Sequence, residues 1–329
     1  MGEELTADLP ASHAGFGGAL APIFSGGAFA GTRWVARSAR ASPPAKWYHP
    51  ASRAGLSLRR TENSAMTSFP PTAVIRSTAT LLLAALLLSS CGSLGTRTAK
   101  VTPQRPKISN DTRTTAFGTF EVEAGSTIDP GDLFDLNVRV KAGVSPTAEL
   151  FVELAPYINQ DLPGPDAEGV GDLMIGFRQR LMNESKAYPA TAFELVASVP
   201  TGETDLVGAG NFPNVFGGFS VDRTFENVYA TAYYRLGLLG SPEAGDIDIQ
   251  HTGALAGVLN LDDRWNALGE LAFQYVPETS DGPIVLNLAA LYDLADTIRL
   301  DAGAVLGLND DAPDFALRFG VVTNLGILF

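Results

Sequence analysis

The stretch DFALRFGVVTNLGILF, residues 314–329, decides the fold class. Every second residue from Phe315 to Phe329 is apolar except Thr323, and the residues between them are smaller or more polar. Such alternation over a membrane-crossing length is typical of a strand in an outer-membrane β-barrel. The stretch ends on Phe329, which we interpret as a membrane-assembly signal, because bacterial barrels often end on an aromatic residue.

The same alternation recurs upstream and predicts an all-β fold, a transmembrane antiparallel up-and-down barrel. Each predicted strand covers the roughly 9–11 residues that a tilted strand needs to cross a bilayer. An even strand number is typical of single-chain bacterial barrels. The twelve predicted strands are 115–126, 132–143, 147–158, 170–182, 191–200, 214–222, 228–239, 246–261, 265–276, 283–294, 298–308 and 314–328.

The connections between these strands alternate in length. Those after even strands are short, except for 183–190, and those after odd strands are mostly longer. Barrels have short periplasmic turns and long outer loops, so both termini are expected in the periplasm. The long loops hold ten acidic residues and no Lys or Arg. They could bind divalent cations or repel anions, or they could simply keep the loops solvated.

Charged residues fall on the face that alternates with the apolar one. A charge on the lipid face costs about 2–4 kcal/mol near the midplane, so these residues are expected to face the lumen. Arg139 and Arg318 illustrate the basic members. The predicted lumen-lining residues are Glu121, Glu123, Asp135, Arg139, Glu149, Glu153, Asp172, Arg178, Arg180, Glu194, Arg235, Glu270, Asp293, Arg299, Asp301 and Arg318.

Two interpretations of that lumen stay open. The charges could line a polar channel that selects solutes, or Arg–carboxylate pairs could cross-brace a nearly filled interior. Eight strands leave room only for side chains, whereas sixteen leave an aqueous channel, and twelve lies between them. Asp172 lies where a strand begins, so it could also cap the neighbouring loop.

The N-terminal part of the chain has the marks of export. Residues 1–65 show no sustained period and are interpreted as a mis-assigned upstream extension or a disordered one. Arg76, a leucine-rich run and small residues describe a signal peptide over 66–90. Leu88-Ser-Ser-Cys91 resembles a bacterial lipobox, which predicts lipidation of Cys91, although ordinary cleavage nearby is the alternative. Residues 91–113 are predicted to be a lipidated, flexible tether.

Charge excludes some partners. The whole chain has a formal charge of −13, and residues 91–329 hold 15 Lys/Arg and 32 Asp/Glu, a charge of −17. Nucleic-acid binding needs clustered Lys and Arg, so no such partner is expected. No metal-ligand spacing and no Gly-rich phosphate loop is present, so no metal or cofactor is predicted. The expected partners are outer-membrane lipid, lipopolysaccharide, the barrel-assembly machinery and an unidentified small solute.

Several short motifs resemble those of a known family over most of 114–329. Gly118-Thr-Phe-Glu-Val-Glu-Ala-Gly125 is similar to its opening strand, and Val199-Pro-Thr-Gly202 to the end of its fifth strand. Gly169-Val-Gly-Asp-Leu173 resembles its most recognisable motif. The family is the outer-membrane transporter group labelled putative meta-pathway of phenol degradation. The resemblance implies a barrel that moves small, aromatic or hydrophobic molecules; the lipobox departs from the family's usual signal peptide.

The leading functional prediction is a passive outer-membrane channel for small solutes. The alternative is a closed structural or surface-interaction barrel with acidic outer loops. An enzyme is not expected, because residues 91–329 contain a single histidine, His251, predicted to face lipid, whereas a Ser–His pair needs it beside a nucleophile. A soluble periplasmic β-sandwich lipoprotein is a fourth possibility.

Overall fold

The structure, a computed structural model, describes residues 99–130, 133–161, 167–206, 212–240, 247–277, 280 and 282–327. The predicted extension 1–65, the signal peptide 66–90, Cys91 and Phe329 lie outside the described residues. Within the described ranges, no helix is long and apolar enough to cross a membrane.

Antiparallel strands form one closed sheet. Strands that follow one another along the chain pair, apart from one short strand that shares a position with the next, and the circle closes where the first strand pairs with the last, Gly125 opposite Gly320. The strands are β1 Thr119–Asp129, β2 Leu133–Ser145, β3 Ala148–Gln160, β4 Ala167–Gly169, β5 Leu173–Met182, β6 Ala190–Val199, β7 Asn214–Phe225, β8 Val228–Gly240, β9 Ile247–Asn260, β10 Trp265–Tyr275, β11 Ile284–Ala295, β12 Ile298–Gly307 and β13 Phe315–Ile327.

The predicted twelve-strand barrel is confirmed. The three-residue β4 and the longer β5 both pair with β3, at its C-terminal and N-terminal parts, and so share the fourth position in the wall. The strand is interrupted between them at 170–172, where the amide of Gly171 still donates to the carbonyl of Ala155 at 2.8 Å. The fourth predicted strand, 170–182, therefore begins three residues later than expected.

The two faces of the wall follow the sequence alternation. Large apolar side chains such as Leu271, Phe273, Leu288 and Phe319 are exposed on the outer face. On the inner face the buried set is largely polar and charged. The apolar outer belt and the polar inner wall, on a closed antiparallel ladder, are the features of an outer-membrane β-barrel.

We call the barrel end that carries the connections 145–148, 182–190, 225–228, 260–265 and 295–298 the short-turn end, and the opposite end the long-loop end. Apolar residues inside the barrel gather in one larger cluster. It includes Ile108, Leu206 from the connection after β6, and Ala312 from the connection after β12. Residues of these two long connections are therefore buried against the inner wall.

The N-terminal segment does not stay outside the barrel. Residues 101–115, which we call the lumen segment, are almost all buried. The segment begins beside the short-turn end, where the amide of Val101 donates to the carbonyl of Asp296. The chain leaves the lumen at the same end, where the amide of Gly118 donates to the carbonyl of Gly143. The flexible tether predicted over 91–113 is thus replaced, from residue 101 on, by a loop inserted into the lumen; residues 91–98 lie outside the described ranges.

Candidate functional site: the barrel lumen

Ion pairs on the inner wall join strands that are direct neighbours. Arg139 lies opposite Glu153 in the β2–β3 ladder and bonds it at 2.6 Å. Arg178 lies opposite both Glu149 of β3 and Glu194 of β6, at 2.8 and 2.9 Å. Facing residues on one side of a ladder are close enough to pair without distortion. These pairs therefore run along the wall and leave the lumen itself uncrossed.

Two further wall pairs follow the same rule. Lys141 of β2 pairs with Glu121 and Glu123 of β1, at 2.5 and 2.6 Å. Arg299 of β12 lies opposite Asp293 of β11 and makes two bonds with it. These ion pairs between wall side chains all connect adjacent strands. The cross-bracing pairs that the second interpretation of the lumen requires are not among them.

The structure brings together most of the predicted lumen residues. Fifteen of the sixteen are buried on the inner side of the wall, and Arg180 is partly exposed. Asp172 has a different role from the others, because it accepts the amides of Thr201 and Gly202, at 3.1 and 2.9 Å. It caps the turn after β6, as the alternative interpretation of that residue predicted. The carboxylate of Asp172 thus joins the two motifs, 169–173 and 199–202.

Glu270 holds the tip of the lumen segment. Its two carboxylate oxygens accept the consecutive amides of Ile108 and Ser109, at 2.7 and 2.8 Å. Asn287, opposite Glu270 in the β10–β11 ladder, donates to the same carboxylate at 3.0 Å and to the carbonyl of Pro106 at 2.9 Å. Hydrogen bonds to a charged group are stronger than neutral ones, so Glu270 is the main anchor of the tip.

Other wall carboxylates bind the rest of the lumen segment in the same way, through its amides or side-chain nitrogens. Along the segment, the donors therefore face an acidic wall on several sides. These bonds include Thr102 N to Glu121 at 2.9 Å, Gln104 N to Glu123 at 3.0 Å, Asn110 Nδ2 to Glu194 at 2.9 Å, Thr112 N to Asp222 at 2.6 Å and Thr115 N to Glu149 at 2.6 Å.

Wall donors satisfy the carbonyls of the segment. Lys141 donates to the carbonyl of Thr102 at 2.7 Å, and Arg318 to that of Pro106 at 2.7 Å. Ser220 donates to Asn110 at 2.6 Å, and Arg180 to Thr112 at 3.0 Å. Buried backbone groups need partners, and the segment is neither helix nor strand, so the wall supplies partners for these carbonyls.

Asp111 fixes the shape of the lumen segment from within. It accepts from Lys107 at 2.7 Å, from Gln104 at 3.1 Å and from Arg113. Burial by itself raises the pKa of this carboxyl, but the charges and hydrogen bonds of Arg113 and Lys107 outweigh it and hold the pKa well below the usual range. Asp111 therefore stays ionised and closes the segment into a loop.

The wall carries more negative than positive groups. Among the described residues, its buried acidic residues number twelve and its buried basic residues six. The acidic set is Glu121, Glu123, Asp129, Asp135, Glu149, Glu153, Asp172, Glu194, Asp222, Glu270, Asp293 and Asp301; the basic set is Arg139, Lys141, Arg178, Arg235, Arg299 and Arg318. The lumen segment adds Arg105, Lys107 and Arg113 against the single Asp111, so its charge complements that of the wall.

The sequence prediction missed the lumen segment and its residues Arg105, Lys107 and Asp111, together with the wall residue Asp222. The segment has neither the period of a strand nor an apolar run. Its signal is electrostatic, because a basic stretch directly precedes a barrel whose inward positions are mainly acidic.

His251 lies on the outer wall, as predicted. Its Nδ1 is 2.7 Å from the hydroxyl of Tyr234, and both line an open groove of about 550 Å³ with Phe273 and Tyr275. Among the described residues, no group of three or more His, Cys, Asp or Glu is arranged to hold a metal ion.

Comparisons with known proteins leave the family open. No family model matches the chain, and no curated protein matches its sequence. Solved structures that resemble it include the KdgM porin (9% identity, TM-score 0.45, 62% of this chain and 98% of that one). Others are the NanC porin (8%, 0.45, 62% and 98%) and LpxR from Salmonella typhimurium (8%, 0.39, 62% and 99%). The resemblance to the phenol-degradation family stays a prediction.

Proposed function

We propose that the protein is an outer-membrane channel for small solutes and that the lumen segment closes it in the state described. One observation supports this more than any other. The wall ion pairs of Arg139 and Arg178 run along the wall, and the element that crosses the lumen is a loop attached to the wall through one end of β1. The loop contributes no strand to the closed sheet, so the wall does not need it for its backbone pairing.

The polar chemistry of the contact favours a reversible closure. The segment is held mainly by hydrogen bonds to charged wall groups, which water and solute can replace when the segment leaves. Of residues 101–115 only Ile108 belongs to the apolar cluster, whereas a permanent filling would be expected to bury more apolar side chains against one another. When the lumen segment has left, the part of the lumen that it occupied presents charged and amide groups, and such a surface suits polar solutes. The family resemblance implies aromatic or hydrophobic solutes, so phenolic compounds belong in the test beside polar ones.

The proposal includes the route to the membrane. The signal peptide 66–90 directs export, Cys91 carries a lipid anchor, and both ends of the chain lie in the periplasm. The lumen segment entering at the short-turn end supports that orientation, because short turns face the periplasm. Metabolic labelling with a radioactive fatty acid, compared with a Cys91→Ala variant, tests the anchor. Label retained by the variant would contradict it.

A closed structural barrel is the second candidate, without transport and without catalysis. The apolar cluster around Leu206 and Ala312 favours it, because both residues come from long connections that pack into the barrel. In that case the lumen stays blocked on the long-loop side even after the lumen segment is removed. His251, on the outer wall beside Tyr234, gives no support to a hydrolytic site.

Planar-bilayer recordings separate the two candidates. The refolded chain and a variant lacking residues 101–113 are compared, with heat-modifiable gel mobility as the check that both barrels are folded. A channel predicts rare or small steps for the intact chain and frequent, larger steps for the deletion. A deletion that folds and stays silent would reject the channel and leave the structural barrel. Phenolic and polar solutes are then titrated to see which of them blocks the current.

A further inference from the structure

Arg105 occupies a niche that the wall forms without help from the lumen segment. Gly125 and Gly320 face each other across the β1–β13 ladder, and a Cβ on either one would overlap the guanidinium of Arg105. The side chain is 1% exposed, its Nη2 donates to the carbonyl of Phe319 at 3.0 Å, and Asp301 Oδ1 lies 3.5 Å away. All four wall residues belong to β1, β12 or β13. The niche therefore persists if the segment leaves.

The resident guanidinium fits this niche only in part. Nε and Nη1 of Arg105 have no hydrogen-bond acceptor, and Oδ2 of Asp301 has no donor. Asp135, fully buried on β2, lies opposite Thr127, two positions from Gly125 on the same face of β1, and has no donor on either oxygen. A tethered side chain cannot turn to use these groups, because its backbone is held by the bonds of Gln104 and Pro106. A free guanidinium can approach a carboxylate with two parallel bonds.

We propose that this niche, formed by Gly125, Gly320, Asp301 and the carbonyl of Phe319 with Asp135 nearby, is a binding site for the guanidinium group of a small cationic solute. Arg105 is its internal substitute. The excess of buried carboxylates over buried cations on the wall attracts cations to the lumen. Paired glycines leave a flat slot that suits a planar guanidinium better than a tetrahedral ammonium. The inference rests on the proposed channel function, because a solute reaches the niche only when the segment leaves it.

Chemical rescue tests the niche in the full-length chain. Arg105→Ala empties the slot, and methylguanidinium at millimolar concentration should refill it. The expected result is a rise in the Tm of the detergent-folded variant of roughly 2–4 °C, with no rise for the unchanged protein. Tetramethylammonium at the same ionic strength is the matched control ion. The double variant Arg105→Ala/Asp301→Asn is the matched control protein, and it should lose the rescue.

Equal stabilisation by both ions, or rescue that survives Asp301→Asn, would overturn the proposal, and so would the absence of any rescue. Hydrogen exchange of the unchanged protein covers the case in which Arg105→Ala does not refold. Argininamide should then speed the exchange of amides 102–110 by at least about threefold, because it displaces Arg105, whereas lysinamide should not. No difference between the two compounds would overturn the proposal.

These experiments keep the niche separate from the channel. Thermal rescue and hydrogen exchange are measured in detergent and need no current through a bilayer. A silent bilayer with intact rescue rejects the channel alone. A conducting deletion variant without rescue rejects the guanidinium site alone.

Discussion

At the scale of single residues, the lumen segment is held most strongly by carboxylates whose positions are fixed by the strands of the wall. Glu270 accepts two consecutive amides at its two oxygens, which fixes the segment in both position and direction. The wall places that carboxylate through one inward position of β10 and supports it with Asn287. The residue is therefore a positioning group for the closure.

Glu270→Gln should loosen the tip of the lumen segment without unfolding the barrel. The amide keeps one acceptor and turns the other into a donor facing Ile108 or Ser109, which costs about 1–3 kcal/mol. Hydrogen exchange at 105–112 should become faster, while the strand amides keep their protection. Glu184→Gln, at the short-turn rim, is the control and should leave exchange at 105–112 unchanged. Unchanged exchange in Glu270→Gln would show that this carboxylate does not hold the tip.

Gly125→Ala tests the close approach of Arg105 to the wall. The new Cβ would overlap the guanidinium, so the segment must shift, and a loss of about 1–3 kcal/mol in unfolding free energy is expected. Gly269→Ala is the matched control, because the nearest atom to its Cβ is 3.9 Å away, on Leu288. In a double-mutant cycle, combining Gly125→Ala with Arg105→Ala removes the clash and should recover part of the lost unfolding free energy. Strictly additive losses would contradict the contact.

At the scale of elements, hydrogen bonds to charged wall groups hold the lumen segment, whereas ion pairs between facing residues join neighbouring strands of the wall. Arg178 shows how the ladder is held, since it lies opposite Glu149 and Glu194 on both neighbours and is buried with them. Arg178→Met would leave two carboxylates without their cation, which costs about 3–5 kcal/mol for a buried pair. Denaturant unfolding should show that loss, whereas Arg223→Met, at the rim, should cost far less. Equal effects of the two changes would contradict the buried pairing.

Asp111 makes the lumen segment sensitive to acid. Its pKa in the folded protein is depressed, so its contribution to stability is complete above the unfolded value of about 3.9 and is lost as pH falls through the lower folded value. Below that range Lys107 and Arg113 lose their shared carboxylate. The loop should therefore detach in strong acid before the strands unfold. Fluorescence from a probe placed at Ser109, read against pH, should change at lower pH than 3.9 and lose that change in Asp111→Asn.

At the scale of the whole molecule, the sequence predicts the wall far better than what fills it. Alternation places Leu271 outside and Glu270 inside, because a strand can only point neighbouring side chains to opposite faces. The pairing of Arg178 with Glu149 follows once the strands are in register. The lumen segment could not be found this way. Ser109 meets Glu270 across 161 positions in the chain, and no period marks such a contact.

Hydrogen exchange across the intact, detergent-folded chain tests the central claim most directly. That claim is that residues 101–115 fill the lumen as a unit that can open separately from the strands. We predict that the amides of this segment are protected and exchange together, in one step that precedes the exchange of the strand amides. Exchange as fast as in an unfolded peptide would show that the segment is not in the lumen. Exchange only together with the strands would show that it is a fixed brace and that the barrel has no gate.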